Sequence, residues 1–301
     1  MERKFYSITL PRWLPEDEMY KTMADIGFAG IEAFGGELTQ ERFDMLASYG
    51  LELIHGGLPY TEDGECDEAY VELLKSHGID DVAMEPAGQG RFPGGFKFPD
   101  PNDPNYRYYG APNQMVDYDA CMRLTEKWNK EAKIAAKYGM KIHYHNHTHE
   151  FRSAGFKYLM DWFLENTEEN VVMNLDVGWA LCAGIDVLSW MKKWGKRITS
   201  LHVKPCSFAI GPEGNGHMAM LPPYDKIGIR YIEYQARENW GKSPQGPMKD
   251  TIVDWTEIFK VAESFGCKDF ILERERYYLE DQTQCLREDY EHIRKCLDAL
   301  G

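Results

Sequence analysis

The stretch GMKIHYH, from Gly139 to His145, determines the fold because close variants of it recur along the chain. In each copy a helix-length amphipathic stretch precedes a glycine, and a short β-rich run follows it. Glycine adopts a left-handed backbone conformation at little cost, so the pattern predicts a helix, a tight turn and a strand. The other copies are GFAGIEAF from Gly27, GLELIH from Gly50, GIDDVAME from Gly78, GKRITSLHV from Gly195 and GCKDFILE from Gly266.

Two further strands are predicted without the glycine, FYSITL from Phe5 and VVMNLD from Val171, which brings the total to eight. Helices are predicted over residues 16–26, 39–49, 67–77, 118–138, 156–166, 187–194, 255–265 and 282–300. Regular alternation of this kind predicts parallel strands with crossover helices, and eight units favour a closed barrel. We therefore expect the α/β class and one (β/α)₈ TIM barrel domain over residues 1–301, since such barrels need roughly 250 residues.

Two long segments interrupt the alternation, residues 85–115 and 206–250, and they hold 11 of the 15 prolines. Each follows a strand, so each is predicted to be a βα loop on the face where barrels bind ligands. They are interpreted as a lid or wall for a ring-shaped ligand; the alternative is packing on each other or on a partner chain. Their aromatic residues are Phe92, Phe96, Phe98, Tyr106, Tyr108, Tyr109, Phe208, Tyr224, Tyr231, Tyr234 and Trp240.

The composition excludes several classes of protein. With 43% hydrophobic and 28% charged residues and a mean hydropathy of -0.53, the chain is expected to be soluble, without a membrane span. A net charge of -15 repels a nucleic-acid backbone, so no nucleic-acid partner is expected. The short apolar run near the N-terminus does not resemble a secretion signal, and seven cysteines without a C-x-x-C pair predict free thiols. A cytoplasmic location follows.

Most of the predicted strands end in a side chain that can bind a metal ion or transfer a proton. Several carboxylates at one rim would repel each other unless a cation lay among them. Carboxylates with an imidazole favour Mn²⁺ as the cofactor, with Mg²⁺, Co²⁺ or Zn²⁺ as alternatives. The strand-end residues are Glu32, His55, Glu85, His145, Asp176, His202 and Glu273.

The run KIHYHNHTHEF, from Lys141 to Phe151, concentrates four histidines and a glutamate at one strand end. Strand alternation places His143 and His145 on the same side, and residues 146–150 are expected to turn over the barrel mouth. Adventitious metal binding or structural hydrogen bonding would also explain such a tract. Its position at the end of a barrel strand favours a functional role.

Four motifs in order resemble the xylose isomerase-like TIM barrel family, whose members are often called sugar phosphate isomerases/epimerases. They are YHNHTHEF from Tyr144, NLDVGWALCAGID from Asn174, LHVKP from Leu201, and VDWTEIFK from Val253 followed by ILERE. The resemblance implies a divalent ion held by Glu150, Asp176, His202 and Glu273. Relatives with a glutamate at the position of His145 use it as a ligand, so His145 is the alternative to Glu150.

The chain also departs from the family pattern at two positions. Trp179 stands where many relatives have the histidine of LDxGH, and Pro205 stands where they have the aspartate of HxKD. Both departures, together with the acidic charge, argue against the multi-zinc endonuclease branch.

The implied chemistry is abstraction of a proton next to a sugar carbonyl, with an enolate stabilised by the ion. Either Glu150 and Glu273 exchange the proton, or His145 or His147 is the base. Lys204 lies on the same side as His202 and is expected to stabilise an oxyanion, unless it is merely solvated at the rim.

The reaction that follows enolisation decides the enzyme class. The histidines at strand five, the aromatic loops and the lack of a basic phosphate cluster favour a lyase, specifically one cleaving a 3-keto-glycoside, as in C-glycoside deglycosidase catalytic subunits. A small companion subunit and an oligomer are then expected. Alternatives are a sugar isomerase or epimerase, an inosose dehydratase, an inactive sugar-binding barrel, and a scaffold subunit.

Overall fold

The structure, a computed structural model, describes residues 3–33, 38–86, 115, 117–209, 211–212 and 245–301. Most of the two long segments predicted as βα loops lies outside these ranges. The aromatic wall predicted from them also lies outside the described residues, apart from Phe208.

Eleven strands are present in the described residues: β1 (Phe5–Ser7), β2 (Gly30–Glu32), β3 (Glu52–Ile54), β4 (Gly57–Tyr60), β5 (Asp81–Pro86), β6 (Lys141–His145), β7 (Ser153–Ala154), β8 (Lys157–Tyr158), β9 (Val171–Asp176), β10 (Ile198–Val203) and β11 (Asp269–Leu272). The α-helices in the same ranges are α1 (Glu16–Ile26), α2 (Gln40–Ser48), α3 (Glu68–Ser76), α4 (Tyr118–Lys137), α5 (Leu159–Asn166), α6 (Val177–Cys182), α7 (Val187–Trp194), α8 (Trp255–Ser264) and α9 (Gln282–Asp298). Short 3₁₀ helices lie at His149–Phe151, Gly195–Arg197 and Met248–Asp250.

Nine of the strands form one parallel sheet in the order β3-β2-β1-β11-β10-β9-β6-β5-β4. The two ends of this order, β3 and β4, are consecutive pieces of one strand that is interrupted at His55 and Gly56. The sheet therefore closes on itself through the interrupted third strand. The eight predicted strands and the (β/α)₈ TIM barrel are confirmed.

The interruption of the third strand has a specific backbone conformation. His55 has a φ of 59°, the one positive value at a non-glycine residue in the described part of the chain. A histidine adopts this conformation at a cost, so surrounding contacts must hold it. His55 Nδ1 lies 2.7 Å from Glu32 Oε1 inside the barrel, and this contact supplies the restraint.

The apolar core lies between the sheet and the helices, and the barrel interior is largely polar. In β6, Ile142 and Tyr144 belong to the apolar core, whereas His143 and His145 belong to groups of polar side chains inside the barrel. Successive side chains of a strand point to opposite faces, which produces this division. The interior therefore places several titratable groups close together.

The helices begin where the sequence provides capping side chains. The carboxylates of Asp67, Asp117 and Asp281 accept backbone N–H groups at the starts of α3, α4 and α9. Each satisfies an N–H group that the helix itself leaves without a partner. Predicted and observed helix bounds therefore agree closely at these positions.

Three expectations about local structure need correction. Gly27, Gly50, Gly78, Gly139 and Gly266 have positive φ, but Gly195 has a φ of -45° and begins a 3₁₀ helix. A Cβ there would lie 2.4 Å from Phe265 Cδ1, so Gly195 serves close packing rather than a left-handed turn.

The helix expected over 156–166 begins at Leu159, because 153–158 forms the hairpin of β7 and β8. Helix α6 was not predicted.

Within the ranges that the structure describes, every helix is too short or too polar to cross a lipid bilayer.

Candidate metal centre

Four side chains converge where neighbouring strands end, and we call them the mouth cluster: His145, Asp176, His202 and Glu273. One ligand atom from each lies within 4.8 Å of the others. His145 ends β6, Asp176 ends β9, His202 lies one residue before the end of β10, and Glu273 directly follows β11. These four strands are adjacent in the sheet, so their carboxyl ends meet at one arc of the rim. The side chains of His145 and Glu273 are 11% and 16% exposed, which opens the cluster to solvent on their side.

Asp176 has two roles because β9 runs directly into α6. Its Oδ1 accepts the backbone N–H of Trp179 at 2.6 Å and caps the helix. Its Oδ2 is buried and forms an ion pair with Lys204 Nζ, 3.0 Å away. Burial raises the pKa of Asp176, and Lys204 only partly opposes the effect. Oδ2 is thus an acceptor oriented into the cluster.

His202 lies between two carboxylates. Its Nδ1 lies 2.6 Å from Glu273 Oε2, and its Nε2 lies 2.7 Å from Glu32 Oε2. Burial lowers the pKa of His202, but Glu32 and Glu273 outweigh burial and raise it to about 10. Asn174 Nδ2 donates to the second oxygen of Glu32 at 2.8 Å. A carboxylate behind a histidine is the usual support for a histidine that binds a metal ion.

His145 has a lowered pKa, in contrast to His202. Burial, with the nearby positive charges of His202 and Lys204, lowers its pKa to about 3. Its Nδ1 is buried and has no hydrogen-bond partner among the described residues. Its Nε2 lies 4.0 Å from Asp176 Oδ2 and 3.9 Å from Glu273 Oε2. An imidazole whose Nε2 lies near two carboxylates fits a divalent ion.

Lys204 is buried beside the mouth cluster, which overturns the alternative that it is solvated at the rim; it is 1% exposed. Its Nζ lies 3.0 Å from Asp176 Oδ2 and 3.2 Å from Glu273 Oε2. The Trp179 ring lies beneath the ammonium, with its centroid 4.2 Å away. A Cβ at Gly178 would lie 2.6 Å from the Lys204 Cβ, so the glycine makes room for the lysine stem.

Glu150 lies in a different group, with His147 and His149. Its Oε1 accepts the Tyr144 hydroxyl at 3.0 Å, and its Oε2 accepts the His147 backbone N–H at 2.9 Å. His149 Nε2 lies 3.2 Å from the same carboxylate. Of the four ligands implied by the resemblance, the structure thus brings three together, and His145 rather than Glu150 lies with them. His147 contacts His145, their ring centroids being 5.1 Å apart.

A second group lies further inside the barrel, and we call it the deep cluster: Glu32, His55, His143 and Asp81. His143 Nδ1 lies 2.7 Å from Asp81 Oδ1, and His55 Nδ1 lies 2.7 Å from Glu32 Oε1. The Thr199 hydroxyl donates to Asp81 Oδ2 at 2.6 Å. Burial raises the pKa of Asp81, but His143 outweighs burial and lowers it to about 2.

Sequence reasoning missed two supporting residues, Asn174 and Glu275. Asn174 lies two residues before Asp176 on β9, and Glu275 lies two residues after Glu273, just beyond β11. Side chains two residues apart on a strand point to the same face, so strand alternation could have identified both. Glu275 Oε1 accepts a hydrogen bond from Lys204 Nζ at 3.3 Å. Glu85, a predicted strand-end residue, is half-buried in β5 and belongs to none of the groups of metal-binding side chains found in the described residues.

Comparisons with known structures agree with this architecture. A sugar phosphate isomerase/epimerase from Parabacteroides distasonis is 16% identical, with 98% of this chain and 94% of that chain covered and a TM-score of 0.60. A 3-keto-D-glucoside 4-epimerase from E. coli is 13% identical, with 98% of this chain and 100% of that chain covered and a TM-score of 0.55. A probable 3-DHS dehydratase from Bacillus anthracis is 14% identical, with 97% of this chain and 98% of that chain covered and a TM-score of 0.55. At these identities the likeness establishes the fold.

Comparison with curated protein sequences finds no significant match. The sequence profile described as xylose isomerase-like TIM barrel, in contrast, matches residues 20–296, which is nearly the whole chain. The four motifs, the closed parallel sheet and this match agree. The chain belongs to the xylose isomerase-like TIM barrel family.

Proposed function

We propose that the protein is a divalent-metal-dependent enzyme that abstracts a proton next to the carbonyl of a sugar or keto-sugar. The observation that carries this proposal is the mouth cluster, in which two carboxylates and two imidazoles offer ligand atoms within 4.8 Å of one another at the rim. Barrels of this kind carry their chemistry at the carboxyl ends of their strands. The family membership supports a sugar as the substrate.

The residues that would hold the ion are His145, Asp176, His202 and Glu273. His145 Nε2 lies 4.0 Å from Asp176 Oδ2 and 3.9 Å from Glu273 Oε2, which supports this choice. The mixed oxygen and nitrogen donors suit Mn²⁺, with Mg²⁺, Co²⁺ and Zn²⁺ as alternatives. A bound ion would act as a Lewis acid toward a substrate carbonyl and lower the energy of the enolate. Glu150, through Tyr144 and the His147 N–H, holds the turn that carries His147.

His147 is the best-placed base if His145 binds the ion. Its side chain is 31% exposed, and its ring centroid lies 5.1 Å from that of His145. Glu273, also partly exposed, is the second group that can accept or return a proton. Lys204 stays positively charged, since burial lowers its pKa but Asp176, Glu273 and Glu275 outweigh burial and raise it above its ordinary value. Its ammonium is therefore available to stabilise negative charge on the substrate.

Elimination from a 3-keto-glycoside is our specific choice of reaction, and epimerisation is the second candidate. Structural neighbours are named as a 3-keto-D-glucoside 4-epimerase and a probable 3-DHS dehydratase, so both outcomes occur on this fold. The histidine-rich strand β6 favours elimination, because a histidine can protonate a departing group. A small companion subunit would accompany this activity, and copurification with such a subunit would support it.

The test is elemental analysis of the purified protein, followed by a screen of 3-keto-glycosides, inososes and free ketoses. We expect about one divalent ion per chain, and a product of elimination rather than of isomerisation. His147→Ala should abolish turnover with the metal content unchanged, whereas loss of the ion in that variant would mark His147 as a ligand. Isomerised products would establish the second candidate. A protein that binds a sugar without an ion or turnover would be a binding barrel, and the proposal would fail.

A further inference from the structure

Lys204 occupies the charge-balancing position that a divalent ion would also occupy. Its Nζ lies 3.0 Å from Asp176 Oδ2 and 3.2 Å from Glu273 Oε2, and both carboxylates belong to the mouth cluster. A divalent ion bound to those oxygens would lie close to the ammonium and repel it strongly, since like charges at short range inside a protein are poorly screened. The ion and the ammonium therefore compete for the same two carboxylates.

The structure provides a third carboxylate for the displaced ammonium. Glu275 Oε1 lies 3.3 Å from Lys204 Nζ, and this contact also has the geometry of a hydrogen bond. Glu275 is two residues beyond Glu273 and belongs to none of the groups of metal-binding side chains in the described residues. It thus remains available to Lys204 when Asp176 and Glu273 hold an ion.

Glu275 is fixed in place by a buried glutamine. Gln245 is 4% exposed and donates from Nε2 to Glu275 Oε2 at 2.9 Å. Its Oε1 accepts the backbone N–H groups of Glu275 and Arg276 at 2.8 and 3.0 Å. The carboxylate that faces Lys204 is therefore held from both its side chain and its backbone.

The lysine stem is fixed while its end can move. Gly178 packs against the backbone, Cβ and Cγ of Lys204 and anchors the start of the side chain, whereas the Trp179 ring lies beneath the ammonium. The terminal methylene groups rotate freely enough to carry Nζ from one carboxylate to another. Only a small shift is needed, because Glu275 is already within contact distance.

We infer that Glu275 is a positioning residue that receives the Lys204 ammonium when a divalent ion occupies Asp176 and Glu273, so that ion binding and lysine displacement are coupled. The inference rests on the proposed metal site. It predicts that Lys204 weakens ion binding and that Glu275 strengthens it, the latter only through Lys204.

The experiment is isothermal titration of MnCl₂ into chelator-treated full-length protein and its variants. Lys204→Met should bind Mn²⁺ about tenfold more tightly than wild type, because it removes a positive charge beside the ion. Glu275→Gln should bind it about tenfold more weakly, because the displaced ammonium then lacks its third carboxylate. The double variant should match Lys204→Met alone, because Glu275 acts through the lysine. The matched control is Glu131→Gln, which removes a buried carboxylate that contacts Tyr60 on the far side of the sheet.

Further variants keep the test decisive if Lys204→Met does not fold. Lys204→Gln keeps a polar end without charge, and Gln245→Leu releases Glu275 without changing the lysine; the latter should weaken Mn²⁺ binding about threefold. Weaker binding by Lys204→Met, or a Glu275→Gln effect that persists in the double variant, would overturn the inference. Unchanged binding in both Glu275→Gln and Gln245→Leu would overturn it too. Wild-type protein that binds none of Mn²⁺, Mg²⁺, Co²⁺ and Zn²⁺ would instead overturn the proposed function.

Discussion

The mouth cluster and the deep cluster use the same side-chain types, yet they differ in how their charges are balanced. In the deep cluster each imidazole faces its own carboxylate at 2.7 Å, His55 with Glu32 and His143 with Asp81. In the mouth cluster, Asp176 and Glu273 share the single ammonium of Lys204, and His145 Nε2 lies 4.0 and 3.9 Å from the two carboxylates. Groups paired one to one stabilise a fold, whereas two carboxylates that share one cation can also hold a divalent ion. We therefore propose a structural role for the deep cluster and a chemical role for the mouth cluster.

The largest effect is expected at the mouth. Asp176→Asn keeps the shape of the side chain and removes the charge that the ion needs, so the ion should be lost and turnover should fall roughly 1,000-fold or more. Inductively coupled plasma analysis and a turnover assay measure the two effects. If Asp176→Asn kept its full metal content, the proposal that the mouth cluster, unlike the deep cluster, binds the ion would fail.

The next effect is expected in the deep cluster, on stability instead of activity. His143→Leu leaves the Asp81 carboxylate buried without its imidazole and should lower the free energy of unfolding by about 3 kcal/mol. Urea denaturation measures the loss. The metal content of the folded variant should equal that of wild type, and loss of the ion would show that the deep cluster also binds metal.

The acid dependence of stability provides a third comparison. Because the pKa of Asp81 is lowered to about 2 in the folded protein, its stabilising contribution is complete above pH 4 and is lost as the pH falls toward 2. The shift from an ordinary value of 3.8 corresponds to about 2 kcal/mol. Plots of the free energy of unfolding against pH for wild type and Asp81→Asn should converge as the pH falls toward 2. Parallel curves would show that Asp81 carries no such contribution.

The smallest effect is expected at Glu32, which belongs to the deep cluster and contacts His202 of the mouth cluster. Its two oxygens reach His55 and His202, so Glu32→Gln should disturb the orientation of His202 and lower ion affinity about tenfold. Titration with MnCl₂ measures this change. An effect as large as that of Asp176→Asn would make Glu32 a ligand, and the two clusters would then be one site.

The sequence predicted the barrel because each strand carries its own local signal. Glycines with positive φ mark five of the αβ turns, and neither they nor the alternating strand residues depend on distant contacts. Gly195 shows the limit of this reasoning, because its role depends on Phe265, seventy residues away along the chain.

The candidate site was predicted in outline and not in detail. The ends of the predicted strands placed His145, Asp176, His202 and Glu273 at the rim. Glu150 lies beyond the end of β6, where strand alternation predicts no side-chain position. A 3₁₀ turn then directs that carboxylate toward Tyr144. The burial of Lys204 depends on the space beside Gly178, a contact between separate elements that no local pattern predicts.

The interrupted third strand has a consequence for how the barrel opens. Strand β3 pairs with β2, and β4 pairs with β5. Of the residues of β5, Asp81 and Val82 pair with β6. No residue of β3, β4 or β5 is therefore bonded to strands on both sides, whereas β9, β10 and β11 each have residues that are. Backbone amides between residues 52 and 86 should exchange with deuterium earlier than those of β9 to β11. The cylinder then has one arc that loosens first; it borders β6 and lies away from β9, β10 and β11, which position the other three residues of the mouth cluster.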